Sequence, residues 1–136
     1  ITDERMTRFM ISLEDGVKLV WNAFKDMIGG EIYVKKIPSM KVIDMADVIA
    51  PNCKKVFIGR RPGEKIHEQM IGIEDCAYTY EYDGYYKILP QINDWSNDKD
   101  RIKNGVKVSS NFVYSSDLNK EWMTKTHLKE WIYQNF

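Results

Sequence analysis

The chain has 136 residues, room for one domain with a real core and too few for two of ordinary size. Hydrophobic residues make up 43% and charged residues 29%, the balance of a soluble globular protein. Lys+Arg and Asp+Glu both number 20, so the net charge is zero; this argues against bulk attraction to nucleic acid or acidic membranes, and any anion site must be local.

In chain order, Ser12 caps a first helix whose opening turn carries Glu14 and Asp15, where the helix dipole favours negative charge. Leu13, Val17, Val20, Trp21, Phe24 and Ile28 recur at three- and four-residue spacing and give it one broad apolar face; Gly29-Gly30 ends it. "EIYVKKI" follows as a short strand broken by Pro38. "KVIDMADVIA" predicts a second helix with Val42, Ala46 and Ile49 on one side, stopped where Pro51 makes Ala50 a poor helical residue. "KKVFIG" predicts another strand, and residues from Glu64 to about Met70 a third helix. Asp83-Gly84 lies between two β-rich, tyrosine-laden runs in Ala77 to Leu89, a hairpin signal. Residues 91 to 111 are polar and weakly patterned, a long surface loop. Thr124 caps a last helix in which Leu128, Trp131 and Ile132 share a face.

This order predicts an α/β piece with few, short strands, unable to close a sandwich or barrel and suited to a small sheet beside something larger. No apolar run approaches the roughly 18 residues of a membrane span. Cys53 and Cys76 have no metal-ligand spacing and read as reduced thiols of a cytosolic protein. The opening "ITDERMTRF" reads like a sequence entered partway through a larger protein.

The stretch "GRRPGEKIHEQM" concentrates the chemistry. Pro62-Gly63 forces a bend after Arg60-Arg61, and the expected helix would turn its free N–H groups toward it. An arginine beside a helix N-terminus suits a phosphate, and a carboxylate suits a ribose hydroxyl. The same residues also make an ordinary surface turn in which Glu64 complements the helix dipole, and chemistry alone favours that structural reading. Arg5 and Arg8 could meet a ligand anion or pair with Asp3 and Glu4. His67, expected inside the third helix, and His127, expected in the first turn of the last, lack a nearby nucleophile with a supporting acid, so no triad arises. The tyrosines of 78–86 read as hairpin packing. No glycine-rich phosphate loop or dinucleotide fingerprint occurs.

Five blocks, "TDERMTRFMISLEDGVKLV", "GGEIYVKKIPSMKVIDMADVIAP", "IGRRPGEKIHEQMI", "YKILP" and "NFVYSSDLNKEWMT", together resemble the C-terminal part of the inverting UDP-N-acetylglucosamine 4,6-dehydratases. These are extended short-chain dehydrogenase/reductase proteins of polysaccharide biosynthesis. The resemblance covers nearly the whole chain and is least distinctive from about Gln91 to Ser110. It implies a fold with a small mixed sheet and flanking helices, the C-terminal subdomain of such an enzyme lacking the Rossmann domain. Residues 1–90 would form the nucleotide-sugar-binding subdomain, and 91–136 a loop and terminal helix packing on it. By the same resemblance Arg61 would hold the diphosphate, Glu64 the ribose, and Arg8 a second phosphate; Arg5 and Arg60 rank lower. No catalytic, cofactor-binding or metal-ligating residue is expected here. NADP and the oxidation at C4, water loss across C5 and C6, and hydride return to C6 that it serves would belong to the missing Rossmann domain or a partner chain carrying it. The expected partners are a UDP-sugar, that domain and further copies of the chain, with no nucleic acid or membrane, in the cytoplasm. Two alternatives are a non-catalytic interaction or regulatory domain retaining the fold, and the same region of a related nucleotide-sugar epimerase or reductase.

Overall fold

A computed structural model describes residues 1–135. The elements are β1 (Thr7–Phe9), α1 (Leu13–Asp26), β2 (Ile32–Lys35), β3 (Ser39–Lys41), α2 (Val42–Ile49), β4 (Gln69–Ile71), a 3-10 helix (Ile73–Tyr78), β5 (Thr79–Glu81), β6 (Tyr85–Ile88), α3 (Lys99–Ile102), β7 (Val106–Lys107), β8 (Tyr114–Ser115) and α4 (Lys125–Asn135). This is the mixed α/β architecture of short strands and flanking helices expected from the sequence. The described residues fold as two compact units, each gathered from separate segments: residues 1–10, 37–69 and 115–135 in one, 11–36 and 70–114 in the other.

In the first unit β1 pairs antiparallel with β3, Arg8 opposite Met40. Met6, Ile37, Met40 and Leu128 are its buried apolar residues, with the hydroxyls of Thr7, Ser39 and Ser116 buried among them. Ser39 also bridges to Trp122, and the Asn119 amide donates to the Ile37 carbonyl and the Ser39 hydroxyl, which fastens the 119–123 segment beside β3. α2 ends at Ala50, as the following proline requires. α4 starts where Thr124 accepts a hydrogen bond from the His127 N–H at 3.1 Å, so His127 lies in the first turn as expected.

In the second unit four strands run antiparallel in the order β2-β6-β5-β7. The hairpin β5–β6 turns at Asp83-Gly84, with Gly84 at a φ of 77° that a side chain would resist. Tyr82 and Tyr85 stack face to face with ring centroids 4.7 Å apart, and Tyr80, Tyr82 and Leu89 form a buried cluster against Trp95 and Ile102. The tyrosines are therefore packing residues. α1 begins at the Ser12 cap, whose hydroxyl accepts from the Asp15 N–H, and ends at Asp26, short of the two glycines. None of its residues is buried.

Three expectations fail, each for lack or presence of a partner. Residues 54–59 form no strand: among the described residues the backbone hydrogen bonds given for Val56 and Ile58 are single ones with Ile1, too few to make a ladder. Residues 64–70 form no helix: carbonyls that should accept four residues on accept from β1 and Ser116 instead. The stretch 91–111 is not wholly loop, since Asp98 caps α3 by accepting from the N–H groups of Asp100 and Arg101, and β7 adds to β5. Among the described residues no helix is long and apolar enough to cross a membrane.

Candidate functional site

The first unit brings Arg8, Arg61 and Glu64 together. Arg61-Pro62-Gly63-Glu64 is a tight turn: the Glu64 N–H donates to the Arg61 carbonyl at 3.1 Å, and Gly63 holds φ at 77°. Proline second and a left-handed glycine third is the pattern of a type II turn. The Glu64 carboxylate then reaches back, Oε2 accepting from the Arg61 N–H at 3.1 Å and Oε1 from the Thr2 hydroxyl at 3.2 Å. The bond from the Arg61 N–H, the Thr2 hydroxyl and the charges of Arg61 and Arg8 hold the Glu64 carboxyl below the usual carboxylate range against a smaller opposing effect of desolvation. It is thus an anion with lone pairs to spare, able to accept from further hydroxyls.

The exposed Arg61 guanidinium makes no hydrogen bond or ion pair among the described residues. Arg8 is differently placed. Its Nη1 donates to the carbonyls of Thr7 at 2.7 Å and Ile66 at 3.0 Å, its Nη2 donates to Lys65 at 3.0 Å, and its Nε faces Glu68 at 3.4 Å. Of the five N–H groups of a guanidinium this leaves one uncommitted. Arg8 therefore clamps the loop after the turn. Arg5 is turned to Asp3 in a two-pronged pair at 2.7 and 3.0 Å, and its pairing with a carboxylate follows the structural expectation. Arg60 lies close enough to Asp3 to help hold that carboxyl ionised, behind the larger effect of Arg5.

The expected helix N-terminus beside Arg61 is absent, so a helix dipole contributes nothing to anion binding there. In its place stands a rigid turn with one carboxylate and an uncommitted guanidinium. Sequence reasoning missed Thr2 and Ser116. Thr2 lies 62 residues from Glu64 and Ser116 lies 109 from Thr7, and no local pattern announces such pairs. His67, expected in a helix facing solvent, instead places Nδ1 2.8 Å from the Thr7 hydroxyl.

An open apolar groove of about 610 Å³ lies in the second unit, lined by residues of α1 and its approach, among them Leu13, Val17, Trp21 and Phe24. It has none of the convergent polar groups that orient a ligand.

The family model described as polysaccharide biosynthesis protein matches residues 1–90. The chain is 50% identical over 135 residues to the UDP-N-acetylglucosamine 4,6-dehydratase (inverting) of Campylobacter jejuni subsp. jejuni serotype O:2, spanning 96% of this chain and 40% of that protein. It is 35% identical over 124 residues to a UDP-glucose 4-epimerase of Rickettsia akari, spanning 88% of this chain and 36% of the relative. Its fold matches the X-ray structure of Pen from Bacillus thuringiensis with a TM-score of 0.79 at 25% identity, over 99% of this chain and 39% of the other. The chain belongs to the polysaccharide biosynthesis protein family and corresponds to the C-terminal part of the dehydratases. It spans about 40% of the length of those relatives.

Proposed function

We propose that this chain is the UDP-sugar-binding C-terminal region of an NADP-dependent UDP-N-acetylglucosamine 4,6-dehydratase of the inverting kind. The observation that carries the reading is the Arg61–Glu64 turn, which fixes an ionised carboxylate next to a guanidinium with all its donors available. A relative half identical over nearly the whole chain is a UDP-N-acetylglucosamine 4,6-dehydratase of the inverting kind. Arg61 would fork onto the diphosphate, a planar pair of donors meeting two oxygens. Glu64 would accept from the ribose hydroxyls. Arg8 would spend four N–H groups on holding the loop and offer the fifth to a phosphate. Binding and orientation are the contribution of these residues, and both lower a barrier by fixing the reacting centre.

The described residues do not fit the dinucleotide itself. Their four-stranded sheet is antiparallel, and no glycine-rich turn leads from a strand into a helix, the cradle that a pyrophosphate needs. We place NADP and the catalytic groups elsewhere in the protein, in a Rossmann domain or a chain that carries one, and assign no catalytic residue here. A second reading, the same region of a UDP-glucose 4-epimerase, draws support from the 35% identity to the Rickettsia protein. Product analysis after joining the chain to a dinucleotide-binding part distinguishes them: a 4-keto-6-deoxy sugar for the dehydratase, a C4 epimer for the rival.

Titration calorimetry with UDP tests the binding. The chain should bind UDP and leave UDP-N-acetylglucosamine unconverted. Arg61→Ala should lose about 2–3 kcal/mol, on the order of 30–150-fold in Kd, the cost of a charge-assisted contact. Conversion by the chain alone would defeat the division of labour, and absence of UDP binding even with the dinucleotide-binding part present would favour a non-catalytic interaction domain.

A further inference from the structure

We infer that Ser116, Thr7 and His67 form an ordered chain of hydrogen bonds that positions the turn carrying Arg61 and Glu64, with His67 held as its Nδ1–H tautomer. The positioning role rests on the reading of that turn as a UDP site; the tautomer does not.

Residues 65–68 follow the turn directly and have no regular structure of their own. Each is tied to β1 or to Ser116 instead. The Lys65 carbonyl accepts from Arg8, and the Ile66 carbonyl from Arg8 and from the Thr7 N–H. His67 meets the Thr7 hydroxyl. Glu68 is held from both sides, its N–H donating to the Ser116 hydroxyl at 2.9 Å and its carbonyl accepting from the Ser116 N–H at 2.8 Å. Ser116 is fully buried and Thr7 is 3% exposed, so neither hydroxyl can turn to water for a missing partner.

Counting hydrogens then favours one direction, the one in which every close contact carries a hydrogen. The Ser116 Oγ has three neighbours: the Glu68 N–H, the Thr7 carbonyl at 3.2 Å and the Thr7 Oγ1 at 2.6 Å. From the N–H it must accept. The carbonyl can only accept, and beside the Arg8 Nη1–H at 2.7 Å it keeps a second lone pair that takes the single Ser116 hydrogen. Thr7 must then give its own hydrogen to Ser116, which leaves its Oγ1 as an acceptor toward His67. The His67 Nδ1, 2.8 Å away, has to carry a hydrogen. In the reverse direction the carbonyl would be left to Arg8 alone, and the 3.2 Å contact between Ser116 and Thr7 would set one oxygen against the other with no hydrogen between them. A neutral imidazole free in water prefers the other tautomer, so the Nδ1–H form is a signature of this chain. The hydroxyls thereby lock the loop that fixes where Glu64 and Arg61 stand.

Two measurements test this. In ¹⁵N-histidine-labelled protein above neutral pH, two-bond proton–nitrogen spectra should show His67 with its hydrogen on Nδ1. Thr7→Val should abolish that signature and Thr7→Ser restore it. A His67 with its hydrogen on Nε2 in the unaltered chain overturns the assigned direction. In UDP titrations Ser116→Ala should weaken binding by about fivefold, and less than that when Arg61 is already alanine, as members of one network behave. Unchanged UDP affinity in a Ser116→Ala chain with native chemical shifts elsewhere overturns the positioning role. Should that variant fail to fold, Thr7→Ser against Thr7→Val makes the same comparison. If the unaltered chain binds no UDP even with the dinucleotide-binding part present, the UDP reading and the positioning role fall together, while the tautomer still decides the chain of hydrogen bonds.

Discussion

Asp26 ends α1 by collecting three donors from the rest of its unit: the Tyr33 hydroxyl at 2.7 Å, the Lys87 ammonium at 2.7 Å and the Lys103 ammonium. Lys87 is 1% exposed, and its charge also lies over the Tyr82 ring, 5.0 Å from the centroid. Burial by itself would raise the Asp26 carboxyl, but the bonds from Lys103, Lys87 and Tyr33 outweigh it and hold the group well below the usual carboxylate range. The same contact, after burial, pushes the Tyr33 phenol up. Asp26→Asn strands a buried ammonium, a change that costs about 3 kcal/mol in comparable pairs. Because the folded carboxyl is depressed, its contribution is complete above the ordinary carboxylate range and is lost as pH falls through the folded value. Urea unfolding should therefore show Asp26→Asn less stable than the unaltered chain by a constant amount at neutral pH. The gap should narrow below about pH 4, where the unfolded carboxyl takes up its proton.

At the scale of an element, the 61–64 turn depends on Gly63. A Cβ there meets nothing within 4 Å, so the penalty of a substitution is purely the left-handed φ of 77°. Gly63→Ala should cost about 1 kcal/mol by urea midpoint, and should weaken UDP binding further because the turn itself sets the carboxylate against the Arg61 N–H. This turn was legible in the sequence, since proline and glycine at its centre admit few conformations. So were α2, α4 and the β5–β6 hairpin, where a cap, a breaker or an Asp-Gly pair lies within a few residues of the periodic run. The stretch after the turn was not. Lys65 to Met70 carry a helical apolar spacing, yet β1 and Ser116 bid for the same backbone groups from 40 to 60 residues away, and those long-range bonds win. For the same reason the contacts of the candidate residues were not legible. Nothing local in "MTRF" announces that its arginine holds three carbonyls.

For the whole molecule, charge and exposed surface act together. With equal numbers of acidic and basic residues the chain has no net charge at pH 7 and no long-range repulsion between copies. Yet α1 presents Leu13, Trp21 and Phe24 at 87, 62 and 67% exposure, with Trp21 and Phe24 in edge-to-face contact 6.3 Å apart. A contiguous apolar stripe of this kind is far more exposed than scattered single residues and drives association where repulsion is weak. Sedimentation velocity should find concentration-dependent self-association of the isolated chain near pH 7, weakening as the pH moves a unit or two to either side and the copies acquire like charge. Trp21→Glu places a charge in the stripe without removing a buried contact, since no α1 residue is buried. It should yield a monomer at the same pH with an unchanged urea midpoint. Association that survives Trp21→Glu, or that ignores pH, would place the sticky surface elsewhere, with exposed Val56, Phe57 and Ile58 the next to substitute.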